Sequence, residues 1–189
     1  DVLDPVHLLW INLVTDTLPA IALGVEPAEP GVMQHKPRGR NSSFFSGGVM
    51  SSIIYQGILQ AALVLGVYGF ALFFPEHSTY EEIHADALTM SYLTLGLIQL
   101  VHAFNVKSVY QSIFTVGPFK NRLFNWSIVA AFLLLMATIV IPGFNTFFHV
   151  THLSVTQWLV AIIGSGLMIV IVDIVKFVQR KMGLDEKAI

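Results

Sequence analysis

The segment 123–172 contains no Asp, Glu, Lys or Arg, and this uncharged stretch constrains the fold more than any other feature. As a single helix it would be roughly 75 Å long, whereas the hydrocarbon core of a bilayer is roughly 30 Å thick. The adjacent turn formers Pro142 and Gly143 divide it in two. The sequence therefore predicts two membrane-spanning helices, over 123–142 and 155–175.

Three further apolar stretches reach the roughly 20 residues that a helix needs to cross the hydrocarbon. They cover residues 5–25, 48–74 and 87–106. Charged residues make up only 12% of the chain, whereas about a quarter is typical of a soluble domain. The predicted fold class is therefore all-α: an integral membrane protein with five transmembrane helices, surrounded by the lipid bilayer. The loop 26–46 is too short to be a domain.

All basic residues lie on one side of the predicted membrane. They fall between the first and second spans, between the third and fourth spans, and after the fifth span. They are Lys36, Arg38, Arg40, Lys107, Lys120, Arg122, Lys176, Arg180, Lys181 and Lys187. The positive-inside rule places that side in the cytoplasm. We therefore expect loop 26–46, loop 107–122 and the C-terminus to be cytoplasmic.

The charge and the loop lengths also bear on partners and location. The net charge of −2, without a basic run, indicates that nucleic acid is not a partner. Short loops favour a bacterial plasma membrane, and a eukaryotic endomembrane stays open as the alternative. The chain opens on Asp1 without the features of a signal peptide, so we expect it to be part of a longer polypeptide.

The first span carries the main polar cluster at membrane depth. Asp16 lies near its middle, where a charge costs on the order of 3 kcal/mol, so such residues normally bind, pair or relay protons. In an α-helix Asn12, Thr15 and Asp16 would share one face, because they are spaced i, i+3 and i+4. Pro19 removes a backbone hydrogen bond and loosens the helix beside them. We expect this face to provide oxygen ligands.

Carboxylate, amide and hydroxyl oxygens suit a hard cation such as calcium better than zinc or copper. Calcium takes about six to eight oxygens, which is more than this face provides. Helices outside this sequence would have to complete the site.

The segment 5–20, PVHLLWINLVTDTLPA, resembles the sixth transmembrane helix of P-type calcium ATPases of the sarco/endoplasmic reticulum type. LGVEP at 23–27 resembles the cytoplasmic connection that follows that helix, and TQWL at 156–159 and DIVKF at 173–177 are looser matches. The resemblance covers essentially the whole chain, as helices six to ten. It implies that helices one to five and the cytoplasmic domains, where ATP and Mg²⁺ act, belong to the same polypeptide.

The resemblance also implies roles for individual residues. Asn12 and Asp16 match calcium ligands of the family's sixth helix, and Thr15 matches a hydroxyl ligand of a second site. Gln99 stands where the reticulum pumps carry a glutamate ligand on helix eight. A neutral amide offers one oxygen but cannot balance calcium's charge, so we expect one transported calcium per cycle. The alternative for Gln99 is an amide that bonds between helices.

Two other functions stay open. One is a P-type pump for another cation such as manganese, and the other is a non-enzymatic cation pathway or scaffold subunit. The chain lacks an Asp-Lys-Thr-Gly-Thr motif, so we expect no catalytic residue within it and no ATP hydrolysis by this part alone.

Two smaller patterns predict helix contacts. Asp173 and Lys176, three residues apart, predict an ion pair on a helix surface. Small residues recur at helical spacing in the second span and predict the close approach of another helix. They are Gly57, Ala61, Ala62 and Gly66.

Overall fold

The structure is a computed structural model that describes residues 1–28, 32–34, 37, 40 and 43–184. Three of the basic residues that define the predicted orientation, Lys36, Arg38 and Lys187, lie outside this part of the chain. Its regular elements are all helical, and five helical stretches are long and apolar enough to cross a membrane. The predicted fold class, all-α with five spans, is thereby confirmed.

The elements follow one another in the order expected for a multi-pass bundle. They are α1 (Pro5–Trp10), a π-helix (Ile11–Asp16), α2 (Thr17–Leu23), a 3₁₀ turn (Val32–Gln34), α3 (Val49–Phe73), α4 (Tyr80–Asn105), α5 (Ile113–Val116), α6 (Arg122–Val140), α7 (Phe144–Phe147) and α8 (Val155–Lys181). The first span consists of α1, the π-helix and α2, which run on as one helical stretch (Pro5–Leu23). The other four spans are α3, α4, α6 and α8.

Two helices extend well beyond their predicted apolar spans. α4 begins at Tyr80, ahead of the predicted start at residue 87, and α8 ends at Lys181. Acidic residues fill the first turn of α4 and basic residues the last turn of α8, which suits the helix dipole at each end. Hydropathy marks the part of a helix that lies in hydrocarbon, while the backbone hydrogen bonds continue into the polar region.

α4 is the central helix of the bundle. In its most apolar window 67% of residues are buried, against 33% or less in each of the other spans. Tyr92 and Leu93 on α4 are fully buried and pack in one cluster with Ile11 of the first span and Leu135 of α6. α4 thereby fixes the depth and the rotation of the first span.

The prediction that Lys176 of α8 lies on a helix surface is wrong. Lys176 is 1% exposed, and its ammonium donates hydrogen bonds to the backbone oxygens of Asn105 (2.5 Å) and Ser108 (2.7 Å). Asp173 accepts a hydrogen bond from Ser112 (2.9 Å). The end of a helix leaves carbonyl oxygens without helical partners, and α8 continues far enough to bring a lysine to those at the end of α4.

Candidate functional site

The middle of the first span is a π-helix over Ile11–Asp16, in place of the predicted α-helix. Its backbone hydrogen bonds join residues five apart, and such segments occur frequently at functional sites. The Thr17 hydroxyl donates to the carbonyl oxygen of Asn12 (2.9 Å), and Pro19 has no N–H to donate in the following turn. The sequence correctly places a disturbed helix here, but it does not reveal the wider turn.

The wider turn separates the three predicted ligand residues, so the prediction of one shared face is wrong. In a π-helix residues four apart stay on nearly the same side, whereas residues three apart diverge. Asn12 is exposed and Asp16 is half-buried, whereas Thr15 is only 1% exposed. The Thr15 hydroxyl lies inside the bundle and donates to the carbonyl oxygen of Ile11 (2.8 Å).

Asp16 and Asn12 lie on the side of the first span that the described bundle leaves uncovered. Ile11 and Val14 on the opposite side are buried against α4 and α6. Within the described part of the chain, no side chain or N–H bonds to the Asp16 carboxylate or to the Asn12 side-chain amide. Polar groups at membrane depth cost several kcal/mol when they have no partner, so these oxygens are available to a ligand.

Gln99 lies apart from this pair. Its side-chain amide donates to the Gln60 side-chain oxygen of α3 (3.3 Å), an interhelical hydrogen bond. Both glutamines line a cavity of about 460 Å³ between α3 and α4, together with Gln56 and His102. Gln99 therefore has the geometry of an amide that bonds between helices, which was the alternative to a ligand role.

Two histidines at the predicted extracytoplasmic end bond to aspartate side chains. His77 bonds to the Asp86 carboxylate (2.9 Å), and His149 bonds to Asp4 (3.0 Å). Among the residues that the structure describes, no group of three or more His, Cys, Asp or Glu side chains could hold a metal ion. The first span therefore offers separate oxygen donors that do not form a complete metal site among the described residues.

The sequence did not predict one set of contacts near the first span. Glu26, just after α2, bonds to Lys107 (2.9 Å) and to Asn121 (2.9 Å), which belong to the connection between α4 and α6. The only signal was an acidic residue within LGVEP at 23–27, because nothing in the sequence pairs it with residues so distant.

Five membrane-length helices, with α4 at their centre, define this chain as a multi-pass integral membrane protein. Residues 1–178 match the family described as cation transporting ATPase, C-terminus, and the chain belongs to that family. This confirms the resemblance stated above at the level of the family.

Individual relatives of the chain agree with this family assignment. The chain is 36% identical over 188 residues to calcium-transporting ATPase 1 of Bacillus cereus, a match that covers 94% of this chain and 21% of the relative. It is 35% identical over 176 residues to a calcium-transporting ATPase of Listeria monocytogenes, covering 93% and 19%. A calcium-transporting ATPase of Plasmodium falciparum is 31% identical over 227 residues, covering 99% and 18%. The chain thus spans about a fifth of the length of these relatives.

Proposed function

We propose that this chain is the C-terminal membrane region of an ATP-driven calcium export pump and supplies part of the intramembrane calcium site. The observation that carries the proposal is the Asp16 carboxylate, which has no partner among the described residues and lies near Asn12 on the uncovered side of a π-helix. The names of the relatives, all calcium-transporting ATPases, support calcium as the substrate.

Asp16 and Asn12 have different roles in the proposed site. Asp16 contacts the ion directly and provides the main negative charge, and Asn12 contributes its side-chain carbonyl oxygen. Calcium needs about six to eight oxygens, so other helices of the full polypeptide provide the remaining ligands. An oxygen-rich set of this kind favours calcium and other hard cations.

The proposed stoichiometry is one calcium per cycle. Thr15 would have to give up its bond to Ile11 and turn out of the bundle in order to ligate an ion. Gln99 carries no charge and is engaged with Gln60. A second site that relied on both residues would lack charge and preformed geometry.

The remaining parts of the pump belong to the rest of the polypeptide. We assign residues 1–189 to one transmembrane region that provides ion ligands and scaffold but no catalytic residue. ATP hydrolysis with Mg²⁺ takes place in cytoplasmic domains. Loop 26–46, loop 107–122 and the C-terminus face the cytoplasm, as the positions of the basic residues favour. The relatives in Bacillus and Listeria support a bacterial plasma membrane.

The test is calcium-dependent phosphoenzyme formation from ATP in the full-length protein. We expect the wild type to require calcium, and Asp16→Asn to require a calcium concentration at least about tenfold higher. Even the loss of a residue that only hydrogen-bonds to a metal ligand lowers metal affinity by about that factor. Gln99→Ala is the matched polar control and should keep the wild-type calcium dependence.

Three results would contradict parts of this proposal. Normal calcium dependence in Asp16→Asn would exclude Asp16 as a ligand. A loss of calcium dependence in Gln99→Ala would contradict the single-ion site. Phosphoenzyme formation with manganese but not with calcium would assign the pump to that cation instead.

A further inference from the structure

A buried ion pair links the cytoplasmic end of the first span to the connection between α4 and α6. One carboxylate oxygen of Glu26 accepts from the Lys107 ammonium (2.9 Å), and the other accepts from the Asn121 side-chain amide (2.9 Å). The side chain of Lys107 is 0% exposed and that of Glu26 13%. Both carboxylate oxygens therefore have a donor in a site that largely excludes solvent.

The surroundings of Lys107 complete this pair. Its ammonium also donates to the backbone oxygen of Pro118 (3.3 Å) and lies 4.1 Å from the centre of the Phe124 ring. Two charges removed from solvent are costly unless their geometry and hydrogen bonding are good, and removal of one partner leaves the other charge uncompensated. Such a contact holds its elements in one defined arrangement.

Asn121 adds a second link between the same elements. Its side-chain amide donates to the backbone oxygen of Ala22, in the last turn of α2 (3.0 Å). Its side-chain oxygen caps α6 by accepting from the N–H of Phe124 (3.0 Å). Glu26, Lys107 and Asn121, which we call the Glu26 clamp, thus fix the end of α2 relative to the end of α4 and the start of α6.

The clamp lies close to the proposed calcium ligands along the chain. α2 spans only Thr17–Leu23, and it joins the π-helix that ends at Asp16 directly to the clamped residues Ala22 and Glu26. Because the chain between Asp16 and Ala22 is helical, the position of the clamped end of α2 constrains the position of Asp16.

We propose that Glu26 is a positioning residue: through Lys107 and Asn121 it holds α2 so that Asp16 stays in the geometry that binds the transported cation. The inference rests on the proposed function. It adds that calcium affinity depends on a contact at the cytoplasmic end of the span, remote from the ligands themselves.

The test uses the full-length protein and measures phosphoenzyme formed from ATP against calcium concentration. Glu26→Gln keeps the shape of the side chain and removes its charge. We expect the half-maximal calcium concentration to rise about two- to thirtyfold, the range in which changes within coupled networks alter site-to-site coupling. The maximal phosphoenzyme per folded molecule should stay near the wild-type level. If Glu26→Gln does not accumulate, Glu26→Asp, which keeps the charge and shortens the reach, is measured in the same way.

A double-variant comparison identifies the contact. Lys107→Met should raise the half-maximal calcium concentration in the same direction. The double variant Glu26→Gln with Lys107→Met should show about the shift of one single variant rather than their product, because residues that act through one contact are not additive. Asp173→Asn is the matched control: its bond to Ser112 ties the same connection to α8, and a shift below about twofold is expected.

Three other outcomes of these experiments would overturn the inference. Reduced yield or thermal stability with unchanged calcium dependence would make the clamp merely structural and overturn the inference. A shift in Asp173→Asn as large as in Glu26→Gln would indicate general loosening and also overturn it. A wild type without calcium-dependent phosphoenzyme would overturn the proposed function itself, and the inference with it.

Discussion

Two buried polar side chains at the predicted extracytoplasmic end of the bundle, His7 and Asp86, have partners elsewhere in the chain. His7 bonds to the backbone oxygen of Phe148 (2.6 Å) and stacks on Tyr92, with 4.3 Å between the ring centres. Asp86 accepts hydrogen bonds from Thr151 (2.7 Å) and Gln157 (3.0 Å). Among the residues that the structure describes, the Asp16 carboxylate of the first span has no such partner.

Asp4 allows a test of charge at the residue scale. It caps α1, since its side chain accepts from the N–H of Val6 (3.1 Å), and it bonds to the exposed His149 (3.0 Å). The hydrogen bond from His149, and then that from Val6, hold the pKa of Asp4 below its usual value. A lowered pKa means that the folded state favours the ionised form. Asp4 therefore contributes stability above about pH 4, the usual aspartate pKa, and this contribution is lost as the pH falls through the lowered pKa.

Asp4→Asn keeps a capping side chain and removes the charge. The midpoint of thermal unfolding, measured in detergent from pH 7 to pH 3, should be higher for the wild type at pH 7. The difference should shrink as the pH falls below about 4. A difference that stays constant or grows over this last interval would contradict the assigned role of the Asp4 charge.

At the scale of elements, two helices approach closely at Gly96 of α4 and not at Gly57 or Gly66 of the second span, where the sequence predicted it. A Cβ at Gly96 of α4 would lie 2.7 Å from the Leu135 side chain of α6. By contrast, a Cβ at Gly57 or Gly66 of α3 would meet nothing within 4 Å among the described residues. The close contact of α4 with α6 therefore depends on the absence of a side chain at Gly96, whereas Gly57 and Gly66 of α3 make no such contact with the described residues.

Gly96→Ala should destabilise the protein. Leu135 is fully buried and cannot move aside freely, and overfilling a packed core costs about 1–3 kcal/mol. Gly166→Ala in α8 is the control, because a Cβ there meets nothing within 4 Å among the described residues. We expect a lower midpoint of thermal unfolding for Gly96→Ala only. Equal midpoints for the two variants would show that α4 and α6 are not packed this closely.

The spans were predictable because a long apolar stretch has few alternatives to a membrane helix. The ends of α4 and α8 were not, since charged residues continue a helix that hydropathy no longer marks. The π-helix was not predictable either, because the register of backbone hydrogen bonds leaves no trace in polarity. Asp16 was identified from its charge at membrane depth, whereas the buried setting of Lys176 depends on partners distant in sequence.

At the scale of the whole molecule, the described bundle is organised around α4 and open along the first span. At the predicted cytoplasmic end, the Glu26 clamp joins the first span, α4 and α6, and Lys176 joins α8 to the end of α4. Asp16 and Asn12 lie beyond this fixed end and face away from α4. In the proposed site, the described bundle provides these two residues, and we expect the remaining ligands to come from the rest of the polypeptide.

An experimental structure of the full-length protein with calcium bound tests this account most directly. The account predicts ion density about 2.3–2.6 Å from a carboxylate oxygen of Asp16 and from the side-chain oxygen of Asn12. Helices from elsewhere in the polypeptide should supply the other oxygens. Density remote from Asp16, with its carboxylate facing lipid, would contradict the account.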